Sequence, residues 1–599
     1  MNESEKKLTE PINKAFSSLN VLHEVKILEE CHWYENSKRW VIKCQINIDS
    51  PNKELIHNKT DWYIWLEATY PQGEVELVPA KQNGITKTFH HQFYNSERAG
   101  VPWRNGIICA KTAMSWLKRS CYDEEPFESE KRLKWHIERV FQWLLDAATG
   151  NLVKKGEFFE LPDYNTSDKP YTIAFCESQE TFHIWIPHCN GIRIGTVELG
   201  FLRKPINTLV TLSFQDHKLQ LIHQPPWNEN IINLIQKVVT GMWVLVPKTI
   251  VLPPWQAPMT WGEVMCAVGI RGEDYEKFSK RSNFVLMGFP IPERVGHVPI
   301  QIHWQALYLP VLSYRDKYAD CRKEPGLLLR RNIDTINSIV DWQKSENWDP
   351  KEIFNRGMYT QDIIDSKIII IGVGAFGSMT AEMLVRGGVK DILLVDHEKM
   401  EIGNLIRHTL ALKDIGNYKA GALGEHLISI SPYVNVKAIR GRFENASEKY
   451  KDEIKNANIV IDCSGNDYIL HYIEQFTWES RPLFFSISIG LDAKRLYVLV
   501  SRRNIFHREF FQRRIEKYLK KDLEDYNGPE LPRSGGIGCW HPAFPARGDE
   551  MWLWASTALK YFVCYTQSKA ECTKVAVFEQ IQVGNYFGGI KLVEEYHDR

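Results

Sequence analysis

The stretch from Lys367 to Asp396 constrains the fold more than any other. KIIIIG (367–372) is a short apolar run ending in glycine, VGAFGSMTAEMLVRGG follows with helical spacing, and DILLVD (391–396) is a second apolar run. Strand, glycine turn, helix and strand make a parallel unit. In Gly372-Val-Gly374-Ala-Phe-Gly377 the first glycine allows a tight turn, the second lets the backbone approach a phosphate, and the third lets helix pack on strand. The helix N-terminus then offers free N–H groups and partial positive charge to an anion. Asp396 lies 19 residues after Gly377, near the spacing at which an acid holds a ribose hydroxyl. A bound nucleotide is the expectation. VNVKAI (434–439) and ANIVID (457–462) extend the pattern to a parallel sheet.

NAD and ATP both suit such a loop. The discriminator is the following DHEKMEIGNLIRH (396–408) and GNYKAG (416–421), which supply Asn404, Arg407 and Lys419. Hydride transfer has no need of them. Cleavage of ATP between its α- and β-phosphates does, because cations must offset charge building on pyrophosphate. The glycine loop, the strand-end Asp, Asn-Leu-x-Arg and the later Lys resemble the adenylation domain of ubiquitin-activating enzymes. Their ThiF- and MoeB-type relatives, which activate thiamine and molybdopterin sulfur carriers, share the pattern.

That resemblance implies ATP and Mg²⁺, and adenylation of a small protein's C-terminal carboxylate. It puts Asp396 on the ribose and Asn404, Arg407 and Lys419 on the phosphates, with Arg407 and Lys419 catalytic. The family's Asp-x-x-Asp-Asn metal element reads Asp462-Cys-Ser-Gly465-Asn466 here. Glycine replaces the second Asp, which leaves Asp462, or else Asp467, to take the metal. His408 stands where the family has Gln, and the zinc cysteines of many relatives are absent.

The chain has 12 cysteines and no Cys-x-x-Cys pair, so neither a disulfide scaffold nor a structural zinc site is indicated. A carboxyl adenylate can be captured by a thiolate. Cys539 sits in SGGIGCWHPAFPARG (534–548), an irregular loop with His541 two residues on to lower the thiol pKa. Activating enzymes place their transfer cysteine downstream of the adenylation core, as here. Cys463, Cys564 and Cys572 read as structural.

Cys109 is the second candidate nucleophile, in PWRNGIICAKTAMSW (102–116). Strand-like segments at 40–48, 61–70 and 73–79 precede it. A helix follows, with Leu133, Ile137, Val140, Phe141, Leu144 and Leu145 on one stripe and Gly150 at its end. That order, with Tyr70-Pro71 and Trp116, resembles a ubiquitin-conjugating domain of divergent, bacterial type. The usual His-Pro-Asn tripeptide is missing, and either Asn105 or His91 is the oxyanion candidate.

A chain of 599 residues predicts three or four domains. The reading is an α/β multidomain protein. Residues 1–155 form an α+β ubiquitin-conjugating-like domain, 156–350 a mixed linking domain, and 351–599 a Rossmann-like ThiF-type adenylation domain with the transfer cysteine. Within the linking region TFHIWIPHC (181–189) and NTLVTLSF (207–214) read as strands, and no chemistry is assigned to it.

Lys+Arg and Asp+Glu both number 74, so nothing steers the chain to nucleic acid or to an anionic membrane. The N-terminus has no apolar core of a signal peptide, and the longest apolar stretch, 241–255, is broken by Pro247 and Lys248. A cytoplasmic protein is expected.

The whole arrangement resembles the fused activating and conjugating proteins of cyclic-oligonucleotide-based anti-phage signalling (CBASS). The resemblance implies that the cargo is the C-terminus of a cGAS-like nucleotidyltransferase, carried as a thioester on Cys539 and then Cys109 and joined to a target amine. It also implies a homodimer, with Arg356 a candidate to reach the neighbouring ATP site. The alternative is a sulfur-carrier or peptide adenylyltransferase that uses residues 1–345 to recognise substrate.

Overall fold

The computed structural model describes residues 8–109, 124–166, 170–227, 229–269, 284–308, 337–502, 507–526, 546–568 and 571–598. Cys539, His541 and Trp116 lie outside the described residues. Two compact units emerge: residues 1–225 with 236–348, and residues 226–235 with 349–599. No helix among the described residues is long and apolar enough to cross a membrane.

The first unit begins with an antiparallel meander of β1 (Val25–Tyr34), β2 (Arg39–Asn47), β3 (Lys59–Glu67) and β4 (Val75–Pro79), paired in chain order. Alternation sorts its side chains. Trp40, Ile42, Ile46, Trp62, Ile64 and Leu77 face the helix Ser129–Thr149 through Leu133, Ile137, Val140 and Leu144. Val41, Tyr63, Trp65 and Val78 take the other face, under Trp103. Burial on both faces explains why β3 reads as an almost unbroken apolar run. The long helix ends where Gly150 adopts φ 74°, the left-handed cap that glycine favours.

A nine-stranded sheet completes this unit: β5 (Thr172–Phe175), β6 (Arg193–Leu202), β7 (Thr208–Gln215), β8 (Leu221–His223), β9 (Ile235–Leu245), β10 (Phe284–Ile291), β11 (Gln301–Tyr308), β12 (Asp341–Trp342) and β13 (Lys344–Asn347). Segment 181–189 corrects the sequence reading. It lies in a helix, Gln179–Trp185, and a short 3₁₀ turn, Ile186–His188. Ser178 accepts from the backbone of Glu180 and Thr181 while Thr181 returns a bond to Ser178, and this capping box starts a helix where alternation suggested a strand.

The second unit carries an eight-stranded sheet. It comprises β14 (Lys367–Ile371), β15 (Asp391–Asp396), β16 (Asn435–Arg440), β17 (Ile459–Asp462), β18 (Leu483–Ile489), β19 (Arg495–Ser501), β20 (Thr573–Val583) and β21 (Tyr586–Asp598). Their order is β16-β15-β14-β17-β18-β19-β20-β21. The first five are parallel; β19, β20 and β21 run antiparallel to their neighbours. Ile368 and Ile370 bury into one covering layer, Ile369 and Ile371 into the other. Each fully buried isoleucine contributes about 2 kcal/mol. Because β14 pairs with β15 on one side and β17 on the other, chain order reverses at its C-terminal end, where ligands bind in open α/β sheets.

Candidate nucleotide pocket and acceptor-cysteine cavity

At that reversal the chain leaves β14 through Gly372, whose φ of 80° suits glycine. A Cβ on Gly372 would meet the Ser464 backbone at 2.9 Å, and one on Gly377 would overlap the Gly372 carbonyl oxygen. A Cβ on Gly374 would meet nothing within 4 Å. The first and third glycines are therefore steric necessities of the turn, and the second faces open space. That space is a pocket of about 370 Å³, lined among others by Gly374, Glu398, Asn404, Arg407, His408 and Lys419. The helix Ala375–Arg386 starts at its floor.

Asp396 does not line this pocket. Its carboxylate accepts the Val373 N–H and the Glu398 N–H, each at 2.7 Å, and burial raises its pKa against those bonds. It clamps the glycine loop to the end of β15. The carboxylate lining the pocket is Glu398, whose Oε2 lies 2.5 Å from Lys419 Nζ. Sequence reading missed Glu398, although its place between Asp396 and Lys419 was a signal. Arg407 ends a 3₁₀ turn, Ile402–Arg407, and Asn404 Oδ1 accepts the Glu401 N–H at 3.0 Å to shape that turn. His408 is buried, and burial pushes its pKa down to about 4. It is therefore neutral, with Nε2–H donating to the Val373 carbonyl (2.8 Å) and Nδ1 accepting the Leu410 N–H (3.1 Å).

The pocket suits a nucleotide. It has an open glycine, a helix N-terminus and two cations on its wall. The metal is a different matter. Asp462 is 2% exposed; its Oδ1 accepts from Ser464 N and Oγ, and its Oδ2 from Ser486 Oγ. It too is absent from the pocket wall, and Asp467 is an exposed residue of the next helix. Gly465 has φ 60°. Among the described residues no group of three His, Cys, Asp or Glu could hold a metal ion. The described residues do not by themselves build a resident metal site. Cys463 lines the pocket, but burial, with the Asp462 charge, raises its pKa well above the thiol range and keeps it a neutral thiol.

Cys109 belongs to the first unit. Its loop is anchored by Trp103, whose ring meets Tyr34, Tyr63 and Trp65 edge-on at 4.9, 5.2 and 5.3 Å. The Cys109 N–H then donates to the His91 carbonyl at 2.8 Å. Cys109 is part-exposed in a cavity of about 560 Å³, shared with His91, Arg139, Asp146 and Glu160. His91 adopts φ 57°, a left-handed conformation that costs a non-glycine residue about 1 kcal/mol. Its neighbours hold it there: the His90 ring stacks on Trp255 at 4.0 Å, and Trp143 Nε1–H donates to the His90 carbonyl at 3.3 Å. His91 Nδ1 lies 3.2 Å from Glu160 Oε2. Asn105 is exposed, bonded to Ser96 Oγ, and outside the cavity wall. Of the two oxyanion candidates, His91 is the one beside Cys109. Glu160 carried no sequence signal.

Comparison with known proteins gives these likenesses. The family described as the Cap2 central linker domain matches residues 150–348, and the ThiF family matches residues 346–522. The chain is 30% identical over 557 residues to the ATP-dependent ubiquitin transferase-like protein Cap2 of Enterobacter hormaechei, covering 88% of this chain and 89% of that protein. It is 31% identical over 107 residues to the sulfur carrier protein ThiS adenylyltransferase of Escherichia coli, covering 18% of this chain and 42% of that one. A crystal structure of E. coli MccB with ATP is 15% identical at a TM-score of 0.26, over 39% of this chain and 64% of that chain.

Proposed function

Because the chain belongs to the Cap2 family of ATP-dependent ubiquitin transferase-like proteins, we propose that it activates a protein C-terminus in the pocket at Gly374 and carries it through Cys539 and Cys109 to an amine. It is an enzyme of ubiquitin-like protein activation and transfer, with a ThiF-type adenylation fold. The observation that carries the finer reading is the joint presence of two sites, a glycine-floored pocket with Arg407 and Lys419 on its wall and a cavity open to Cys109.

In the proposed sequence the cargo carboxylate attacks the α-phosphate of ATP and pyrophosphate leaves. Lys419 and Arg407 offset the charge on the departing phosphates, and Asn404 contributes a polar contact. Asp396 acts on the ribose end of the nucleotide through the glycine loop it clamps. Mg²⁺ would come bound to the triphosphate and would supply further positive charge to the departing phosphates. Cys539 displaces AMP, Cys109 takes the acyl group by thioester exchange, and a target amine receives it. One chain holding both cysteines raises their effective concentration. The cargo is the C-terminus of a cGAS-like nucleotidyltransferase in anti-phage defence, the protein is cytoplasmic, and the working form is a homodimer.

The test is a non-reducing gel of wild type, Cys539→Ala and Cys109→Ala with ATP and cargo. Cys539→Ala is expected to form no thioester while keeping ATP–pyrophosphate exchange. Cys109→Ala is expected to stop at the first thioester. Conjugation by Cys109→Ala would instead favour an adenylyltransferase that uses residues 1–345 for recognition.

A further inference from the structure

The Cys109 cavity holds a pairing that stability does not explain. His91 and Glu160 are 32% and 54% exposed, and an ion pair so open to water adds little to folding. Yet His91 sits in a left-handed conformation where it makes this pair, flanked by His90, whose ring stacks on Trp255, and bonded through its carbonyl to the Cys109 N–H. Backbone strain held in place beside a nucleophile indicates use. The geometry also sets the imidazole's state. A carboxylate only accepts, so we assign the proton to Nδ1, which donates to Glu160 Oε2. In the neutral ring Nε2 is then the nitrogen that carries the lone pair, and among the described residues it has no hydrogen-bond partner. Both His91 and Glu160 line the cavity that contains Cys109.

We propose that His91, oriented by Glu160, is the base that takes the proton from the acceptor amine as it attacks the acyl group on Cys109. The proposal rests on the reading of Cys109 as an acyl carrier and names the group that completes that step. The amine nitrogen attacks the thioester carbonyl carbon and a C–N bond forms. The C–S bond breaks and its electron pair goes to the Cys109 sulfur. The surplus proton on nitrogen goes to His91 Nε2, and from the imidazolium to the thiolate or to water. Nothing is oxidised or reduced. Glu160 is the positioning residue: it fixes the tautomer and offsets the transient imidazolium charge. Its position in the sequence brings the linking region into the transfer step.

The experiment uses the full chain. Cys109 is acylated with a short glycine-ended peptide supplied as its mercaptoethanesulfonate thioester, a thiol exchange that needs neither ATP nor a base on the acceptor. Peptide mapping locates the acyl group, and intact mass follows its discharge to free lysine and to hydroxylamine. Lysine is protonated near neutral pH and needs a base; hydroxylamine is largely unprotonated, and after attack its weakly basic nitrogen gives the surplus proton to water. His91→Asn is the informative variant, since Asn tolerates the left-handed backbone and can donate a hydrogen bond but takes no proton. It is expected to load normally, to discharge to lysine about a hundredfold more slowly, and to discharge to hydroxylamine at the wild-type rate. Glu160→Gln is expected to slow lysine discharge about tenfold, again sparing hydroxylamine.

Equal slowing with both amines would make the role structural and overturn the proposal. So would unchanged lysine discharge in His91→Asn, which would assign His91 at most an oxyanion contact, and so would loss confined to Asp146→Asn, the other carboxylate of the cavity. A wild-type Cys109 that never accepts the peptide would remove the acyl-carrier reading itself, a result separable from all of these.

Discussion

Lys419 Nζ lies 2.5 Å from Glu398 Oε2 while the Lys419 backbone N–H donates to the Glu398 carbonyl at 2.9 Å. The side chain is 5% exposed, and its charge is held at the pocket wall by the Glu398 carboxylate. On the proposed reading, an entering triphosphate would compete with Glu398 for that ammonium. The exchange costs little when one anionic partner replaces another.

Lys419→Ala leaves Glu398 facing the phosphates with no cation between. Cargo-stimulated ATP–pyrophosphate exchange is expected to fall about 10²–10³-fold, the usual loss when one preorganised charge is removed from a transition state. Arg407→Ala is expected to fall similarly, with unaltered circular dichroism for both. Exchange at the wild-type rate in either variant would remove that residue from the phosphate site.

Two glycines of one loop should behave oppositely. Gly374→Ala puts a methyl into open space and is expected to leave the melting temperature of the free protein unchanged while abolishing its rise with ATP. A ligand at a hundredfold excess over Kd adds about 2.7 kcal/mol, so the lost shift is measurable by scanning fluorimetry. Gly377→Ala forces the helix off the Gly372 carbonyl and is expected to lower the melting temperature with or without nucleotide.

Burial holds His408 near 4, against an ordinary histidine value of 6.5. Between these values the unfolded chain binds a proton that the folded chain refuses. Stability from this group is complete above about pH 6.5 and is lost as pH falls toward 4. His408→Gln keeps a donor for the Val373 carbonyl and removes the titration. Its denaturant midpoint is expected to fall less steeply over that window, by up to about 1.4 kcal/mol per pH unit. An unchanged slope would mean that His408 does not titrate there.

Glu125 is buried between two partners, 2.5 Å from Arg132 Nε and 2.7 Å from His136 Nε2. Arg132 also donates to the Pro71 carbonyl, tying the helix start to the meander. Glu125→Ala strands a buried guanidinium and is expected to cost about 3–5 kcal/mol, read by urea denaturation. Glu125→Gln keeps the shape without the charge and is expected to cost less.

The unit from Lys367 to Asp396 is legible in the sequence because its signals are local: apolar runs, glycine spacing and helical periodicity act within thirty residues. Strand β15 falls on DILLVD to the residue. Segment 181–189 misleads because alternating apolar residues suit a short helix once Ser178 and Thr181 cap it. Asp396 is found by spacing, but spacing does not tell that backbone amides already occupy its carboxylate. Glu160 is illegible for a plainer reason. An exposed glutamate 69 positions from His91 has no periodicity to betray it, and only packing brings the two together.

The Glu160 contact also bears on how the molecule can be taken apart. A fragment ending at residue 155 would keep Cys109 and the whole four-stranded meander, yet lose Glu160 and the Trp255 face on which His90 rests. If His91 acts as proposed, such a piece would lack the carboxylate that orients it and would transfer poorly. On the proposed reading, a graft of the Cys109 loop onto another activating core needs the chain through Trp255 at least, because the severable segment in sequence is not the severable segment in chemistry.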